Sequence, residues 1–197
     1  MEQLADAVRR LVRLSVASDA PREEVEAAVA ELGAAADRLE AYALRPDKLP
    51  SLPDLHELQA AFHSDPVIGV RNPIAPPVEA WVEGRKAYGR VTFERPYEGP
   101  PGYVHGAIVA AVFDLFLGLA NLAAGNTGMT GTLTIRYLRP TPLYKEILIE
   151  ASQIAVEGRK TFVGGRFVHD AKVTAEAEGV FVSLRDARAA EYFQPKA

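Results

Sequence analysis

There is no cysteine among the 197 residues, which excludes disulfides, thiolate metal sites and a cysteine nucleophile. Any covalent thiol chemistry must come from a substrate. The chain also lacks a strong charge of either sign. Its 22 basic and 26 acidic residues leave a net charge of -4, so nothing draws it globally to nucleic acid or to an anionic membrane. Small molecules and copies of itself are the expected partners. An uninterrupted membrane-length apolar run is missing as well. The longest candidate, Ala107 to Ala124, is broken by Asp114 and Asn121, and it is read as an enclosed helix rather than a span. The first twenty residues mix Arg9, Arg10 and Arg13 with Glu2, Asp6 and Asp19 and show no signal-peptide pattern. The expected setting is therefore cytoplasmic, with no membrane contact.

What is present divides the chain into four parts. Residues 1–45 have apolar residues at helical spacing, Leu4, Val8 and Leu11, then Val25, Val29, Leu32 and Leu39. This predicts two helices broken near Asp19-Ala20-Pro21, with Asp19 capping the second. Residues 46–77 hold seven prolines and read as a surface-packed linker with one short helical candidate, Asp54 to His63. His56 and His63 share a face of that candidate, but no third ligand stands near, so no metal site is expected. Residues 78–184 form the main domain, and 185–197 a tail.

Within the main domain, alternation predicts strands at Val78 to Glu83 and Ala87 to Phe93, then an apolar helix from Gly106 to about Ala123. Four more strands follow, at Thr130 to Leu138, Ile147 to Glu157, Thr161 to His169 and Val173 to Leu184. Two strands, one long helix and four antiparallel strands make an α+β pattern. A helix apolar on every side calls for a curved sheet wrapped around it.

The stretch GPPGYVHGAIVAAVFD sets one carboxylate, Asp114, in that oily helix. A buried ionised carboxylate costs several kcal/mol, so it needs a partner or a task. The helix start offers the Gly106 and Ala107 amides to a developing oxyanion. His105 either adds a side-chain donor or fixes the loop by its own hydrogen bond. Asp114 lies eight residues beyond Gly106, ~12 Å along the axis, too far for both to reach one carbon. Two such helices side by side solve this, which predicts an obligate symmetric dimer with two interfacial sites. Thr130 is the nearest partner for orienting Asp114 or a water, with Thr132 and Thr134 expected on its face. The plain alternative for Asp114 is a buried acid that only fixes register.

These segments, with MTGTLTIRYLRPTPL and VEGRKTFV, resemble the hotdog-fold acyl-CoA thioesterases of the PaaI type, in the branch that includes mitochondrial long-chain acyl-CoA thioesterases. The resemblance covers about residues 70 to 184. It implies a hotdog fold and hydrolysis of an acyl-CoA without metal or organic cofactor. It also implies Asp114 as the catalytic carboxylate after the motif residue His105, Gly106 as the oxyanion amide, and Thr130 as support for the water or carboxylate. Arg136, Arg159 and Lys160 fall at its CoA-contacting positions, with Arg136 and Arg139 expected beside the Arg159-Lys160 turn. Where the family carries a second glycine, this chain has Ala107. An acyl slot between two central helices would pass Phe113, Phe116 and Leu117, residue types more usual in a plain core. A homodimer is implied, with tetramers open, as is the choice of Asp114 as general base or nucleophile. A non-catalytic acyl-CoA-binding protein and a hydratase using His105 with Asp114 are the rival readings.

Overall fold

The computed structural model describes residues 1–43 and 62–183. Helices α1 (Glu2–Ala17) and α2 (Arg22–Glu40) precede β1 (Glu79–Glu83) and β2 (Lys86–Thr92). A single 3-10 turn, Arg95–Tyr97, leads to the long helix α3 (Gly106–Ala123). Strands β3 (Met129–Tyr137), β4 (Glu146–Glu157), β5 (Lys160–His169) and β6 (Lys172–Val182) complete one sheet of order β1-β2-β4-β5-β6-β3. All neighbours are antiparallel. Each expected strand starts and ends within about two residues of the observed one; Leu184, the tail and residues 54–61 of the short helical candidate lie outside the described residues.

Two-residue turns join the long hairpins. At the β5–β6 turn both Asp170 and Ala171 have positive φ, 47° and 59°, the backbone that matches strand twist in tight hairpins.

Helix α3 lies across one face of the sheet, mainly over β2, β4 and β5. Strand glycines let it come close. A Cβ on Gly89 would sit 2.4 Å from the Phe116 ring, and Cβ atoms on Gly165 and Gly179 would lie 3.1 and 3.0 Å from Leu117. Phe113 packs on Phe167 with ring centroids 4.6 Å apart. The helix is long and apolar enough to cross a membrane, but this packing makes it the core helix of the domain.

The expectation of full enclosure is corrected. Ala107, Ala111 and Asp114, at i, i+4 and i+7, form an exposed face, because a single sheet covers only one side of a helix.

The N-terminal helices differ from each other. Ala5 of α1 is buried, and Arg9 ties α1 to the body by donating to the Asn72 and Ala75 carbonyls at 3.1 and 3.3 Å. Helix α2 buries no residue. Its N-cap is Pro21, with no side-chain cap hydrogen bond, so Asp19 does not cap it. Asp65 accepts from the Val67 and Ile68 amides at 2.7 and 3.0 Å, folding those two apolar residues into the core.

Candidate active site

The start of α3 is built by the loop before it. His105 is the N-cap, and its Nδ1 accepts from the Ala107 N–H at 3.0 Å. An Nδ1 that accepts leaves the proton on Nε2. The His105 N–H donates to the Tyr97 carbonyl at 2.9 Å. The Nδ1 bond to Ala107 is the hydrogen bond that the loop-fixing reading expects; the Nε2–H of the side-chain-donor reading takes no part in it. The Ala107 amide is thereby occupied, which corrects the expectation that it serves an oxyanion beside Gly106. Among the described residues nothing accepts from the Gly106 N–H, which lies at the positive end of the helix.

A residue absent from the sequence reading completes this corner. The Tyr137 hydroxyl donates to the Gly106 carbonyl at 2.9 Å, and a Cβ on Gly106 would lie 3.3 Å from that hydroxyl. Its signal in the sequence was alternation alone: Tyr137 pairs with buried Ala175, so it shares the helix-side face of the sheet.

Asp114 is exposed, and among the described residues it has no ion pair or hydrogen bond. The expected burial is wrong for the single chain, and so is the plain alternative of a buried, hydrogen-bonded acid. The acid stands on the open face of α3, one turn before Gly118. Gly118 faces Phe181, 3.8 Å from its built Cβ, and Phe181 is the cross-strand partner of Thr130. Gly118, one turn after Asp114, thus lies over the strand residue that pairs with Thr130.

Thr130 is there because of a bulge. The register passes from Thr130↔Phe181 to Thr132↔Val180 with Gly131 inserted. One extra residue resets the alternation, so Thr130 shares the helix-side face of Phe181 while Thr132 and Thr134 take the opposite face. The expectation that the three threonines share a face is corrected accordingly. Strand β3 is also an edge of the sheet.

The cations divide into two places. Arg136 is on the outer face, ion-paired with Glu176, in a groove of about 690 Å³ that also holds the Arg166–Glu150 pair at 2.7 Å. Arg159 donates to the Ser183 carbonyl from Nε at 3.2 Å and Nη2 at 2.9 Å, and Lys160 opens β5 opposite Val182. Glu176 pairs with Arg166, six residues along β5 from Lys160, or roughly 20 Å at strand rise. Within one chain Arg136 is therefore not beside the Arg159-Lys160 turn. Arg139, which donates to the Val173 carbonyl at 2.7 Å, sits at the Arg136 end. Phe113, Phe116 and Leu117 are completely buried against the sheet. They are core and line no slot on the open helix face. The described residues contain no cluster of metal-ligating side chains.

A curved antiparallel sheet around one long helix, with a free amide at the helix start and a carboxylate on its open face, defines a hotdog α+β domain. The chain belongs to the thioesterase superfamily. The family's profile matches residues 101–176. The crystal structure of protein RHA08564, a thioesterase superfamily protein, is similar at 35% identity over 92% of this chain and 94% of that one, with a TM-score of 0.82. The acyl-coenzyme A thioesterase THEM4 of Xenopus laevis is 35% identical over 92 residues, 45% of this chain. That match spans only 41% of the length of the Xenopus protein. The phenylacetic acid degradation protein PaaI of Thermus thermophilus shares the fold at 18% identity, with a TM-score of 0.51 over 54% of this chain and 93% of that one.

Proposed function

We propose that the protein hydrolyses an acyl-CoA thioester to the free acid and CoA. The observation that carries this reading is Asp114, a carboxylate without a partner among the described residues, on an otherwise small and apolar helix face. Such a group is tolerated there only while water or a second subunit supplies its donors. Its curated relative is named as an acyl-coenzyme A thioesterase. Two structures of the same fold, from Streptococcus mutans and Streptococcus pneumoniae, are described with acetyl CoA and coenzyme A bound.

In this mechanism the thioester oxygen rests on the Gly106 N–H, where developing negative charge meets the helix dipole. Asp114 takes a proton from a water held by the Thr130 hydroxyl, and the water oxygen bonds to the carbonyl carbon. The C–S bond then breaks, and the CoA thiolate leaves and takes up the proton. Direct attack by Asp114 through a mixed anhydride uses the same groups. Single turnover in heavy-oxygen water separates the two, because only the anhydride route puts label into the enzyme carboxylate.

Gly106 and Asp114 of one helix are too far apart for one carbonyl, so the site is shared between the open α3 faces of a symmetric dimer. The unpaired edge of β3 is suited to join two sheets there. Arg136 from one end and Arg159 with Lys160 from the other serve the CoA phosphates. A cysteine-free chain needs no oxidising compartment to mature, which agrees with a cytoplasmic setting.

The test is initial-rate hydrolysis across short, medium, long and aromatic acyl-CoAs, with Asp114→Asn as control. The variant is expected to fold, remain dimeric and lose at least about two orders of magnitude in turnover, the scale of general-base help. Unchanged turnover removes Asp114 from the mechanism. Tight binding without turnover at any chain length replaces the enzyme with an acyl-CoA sensor.

A further inference from the structure

Both N-terminal helices carry apolar faces that none of the described residues of their own chain covers. We propose that α2 of one protomer packs on the free face of α1 of a second copy, and reciprocally, as a helix exchange between two chains.

On α2, Val25, Val29, Leu32, Ala36 and Leu39 recur at intervals of four and three. That is the 3.5-residue period of a helix-pairing seam. The seam is open: Val29 is 63% and Leu32 43% exposed. On α1, the side bearing Ala5 and Arg9 rests on the body. The other side presents Leu4 and Leu14, 38% and 41% exposed, with Val8 and Leu11 half-buried between them. A long amphipathic helix is stable in water chiefly through what its apolar face packs against.

The occupant follows from the connection and from charge. Ser18 (φ -114°, ψ 149°) and Pro21 (φ -62°, ψ 153°) are both extended. This carries α2 away from α1, and the two helices of one chain do not pack along each other. Helix α2 bears Glu23, Glu24, Glu26, Glu31, Asp37 and Glu40 against only Arg22 and Arg38, so two α2 helices would repel. Helix α1 has the opposite balance, with Arg9, Arg10 and Arg13 against Glu2 and Asp6. Arg10 is exposed, flanks the free face of α1, and has no ion pair among the described residues. It meets the acidic flanks of the incoming α2 seam. The pairing is the same in both directions, so it closes a two-fold dimer. It does not depend on thioester chemistry and is read without any substrate.

The cysteine-free chain gives a clean test. Full-length copies carrying Leu4→Cys or Leu14→Cys are co-expressed with differently tagged copies carrying Val29→Cys or Leu32→Cys, then treated with a short bismaleimide. Cross-linked heterodimers joining an α1 cysteine to an α2 cysteine are expected in at least one pairing. Adding Leu32→Glu to the Val29→Cys copy should cut its heterodimer yield at least tenfold while circular dichroism stays unchanged. The proposal is overturned if all four pairings give no heterodimer although the thiols react with a monofunctional maleimide. It is equally overturned if Leu32→Cys copies link mainly to each other, or if a chain bearing both Leu14→Cys and Leu32→Cys links within itself.

Discussion

The Tyr137 hydroxyl holds the Gly106 carbonyl at 2.9 Å, so the last residue of β3 fixes the first residue of α3. The same peptide corner carries the one amide that the helix cap leaves free. A methyl group at Gly106 would sit 3.3 Å from that hydroxyl, crowding the approach of a thioester oxygen. Gly106→Ala is expected to leave the fold intact and lower turnover by about ten- to a hundred-fold, somewhat less than full loss of an oxyanion donor. Steady-state kinetics beside a thermal melt checks this; a normal rate would show that no oxygen docks there.

Gly131 decides which face Thr130 occupies. Deleting it removes the bulge, so the start of β3 either turns Thr130 to the outer face or loses its pairing with β6. Turnover of the deletion variant should fall to the level of Thr130→Val, as measured on a shared acyl-CoA substrate. A deletion variant that outperforms Thr130→Val would contradict the placement of that hydroxyl.

Gly89 and Phe116 are a packing pair. With the built Cβ 2.4 Å from the ring and 3.1 Å from the Glu79 carbonyl oxygen, Gly89→Ala overpacks the core and should cost about 1–3 kcal/mol. Phe116→Leu in the same chain should recover part of that loss, because it removes the ring atoms that clash. Urea unfolding of the two single variants and the double variant reads the coupling.

Tyr97 gives the fold an alkaline limit. Burial raises its phenol from 10.0 to about 12, against a smaller lowering by the positive charge of Arg9. Above pH 10 the unfolded chain sheds a proton that the folded chain keeps, so stability falls as pH rises toward about 12. Denaturant midpoints measured across this range should decline for the wild type and decline less for Tyr97→Phe. Because Tyr97 lies against α1, amide exchange in residues 2–17 is expected to accelerate over the same window.

Much of the architecture could be read from local periodicity. The six strands, the long helix and the broken pair of N-terminal helices follow from apolar spacing at 2.0 and 3.6 residues, and the tight turns from their glycines and polar residues. Asp114 stood out as a carboxylate in an apolar helix and Gly106 by its place at that helix start. Thr130, an ordinary strand residue by type, was singled out by its nearness in sequence and by the family resemblance. Tyr137 did not stand out, since a tyrosine at the end of a strand looks like any other.

Composition and pattern alone determined an α+β chain without thiol chemistry or strong global charge, with one carboxylate in its apolar helix. Tertiary structure decided everything that depends on which face points where. One bulged residue sent Thr130 to the helix side, one cap removed the Ala107 amide from use, and one sheet left the Asp114 face open. The strand register put Arg136 and Lys160 at opposite ends. Periodicity is a property of neighbours along the chain, whereas facing, capping and register are settled by contacts between segments distant in sequence.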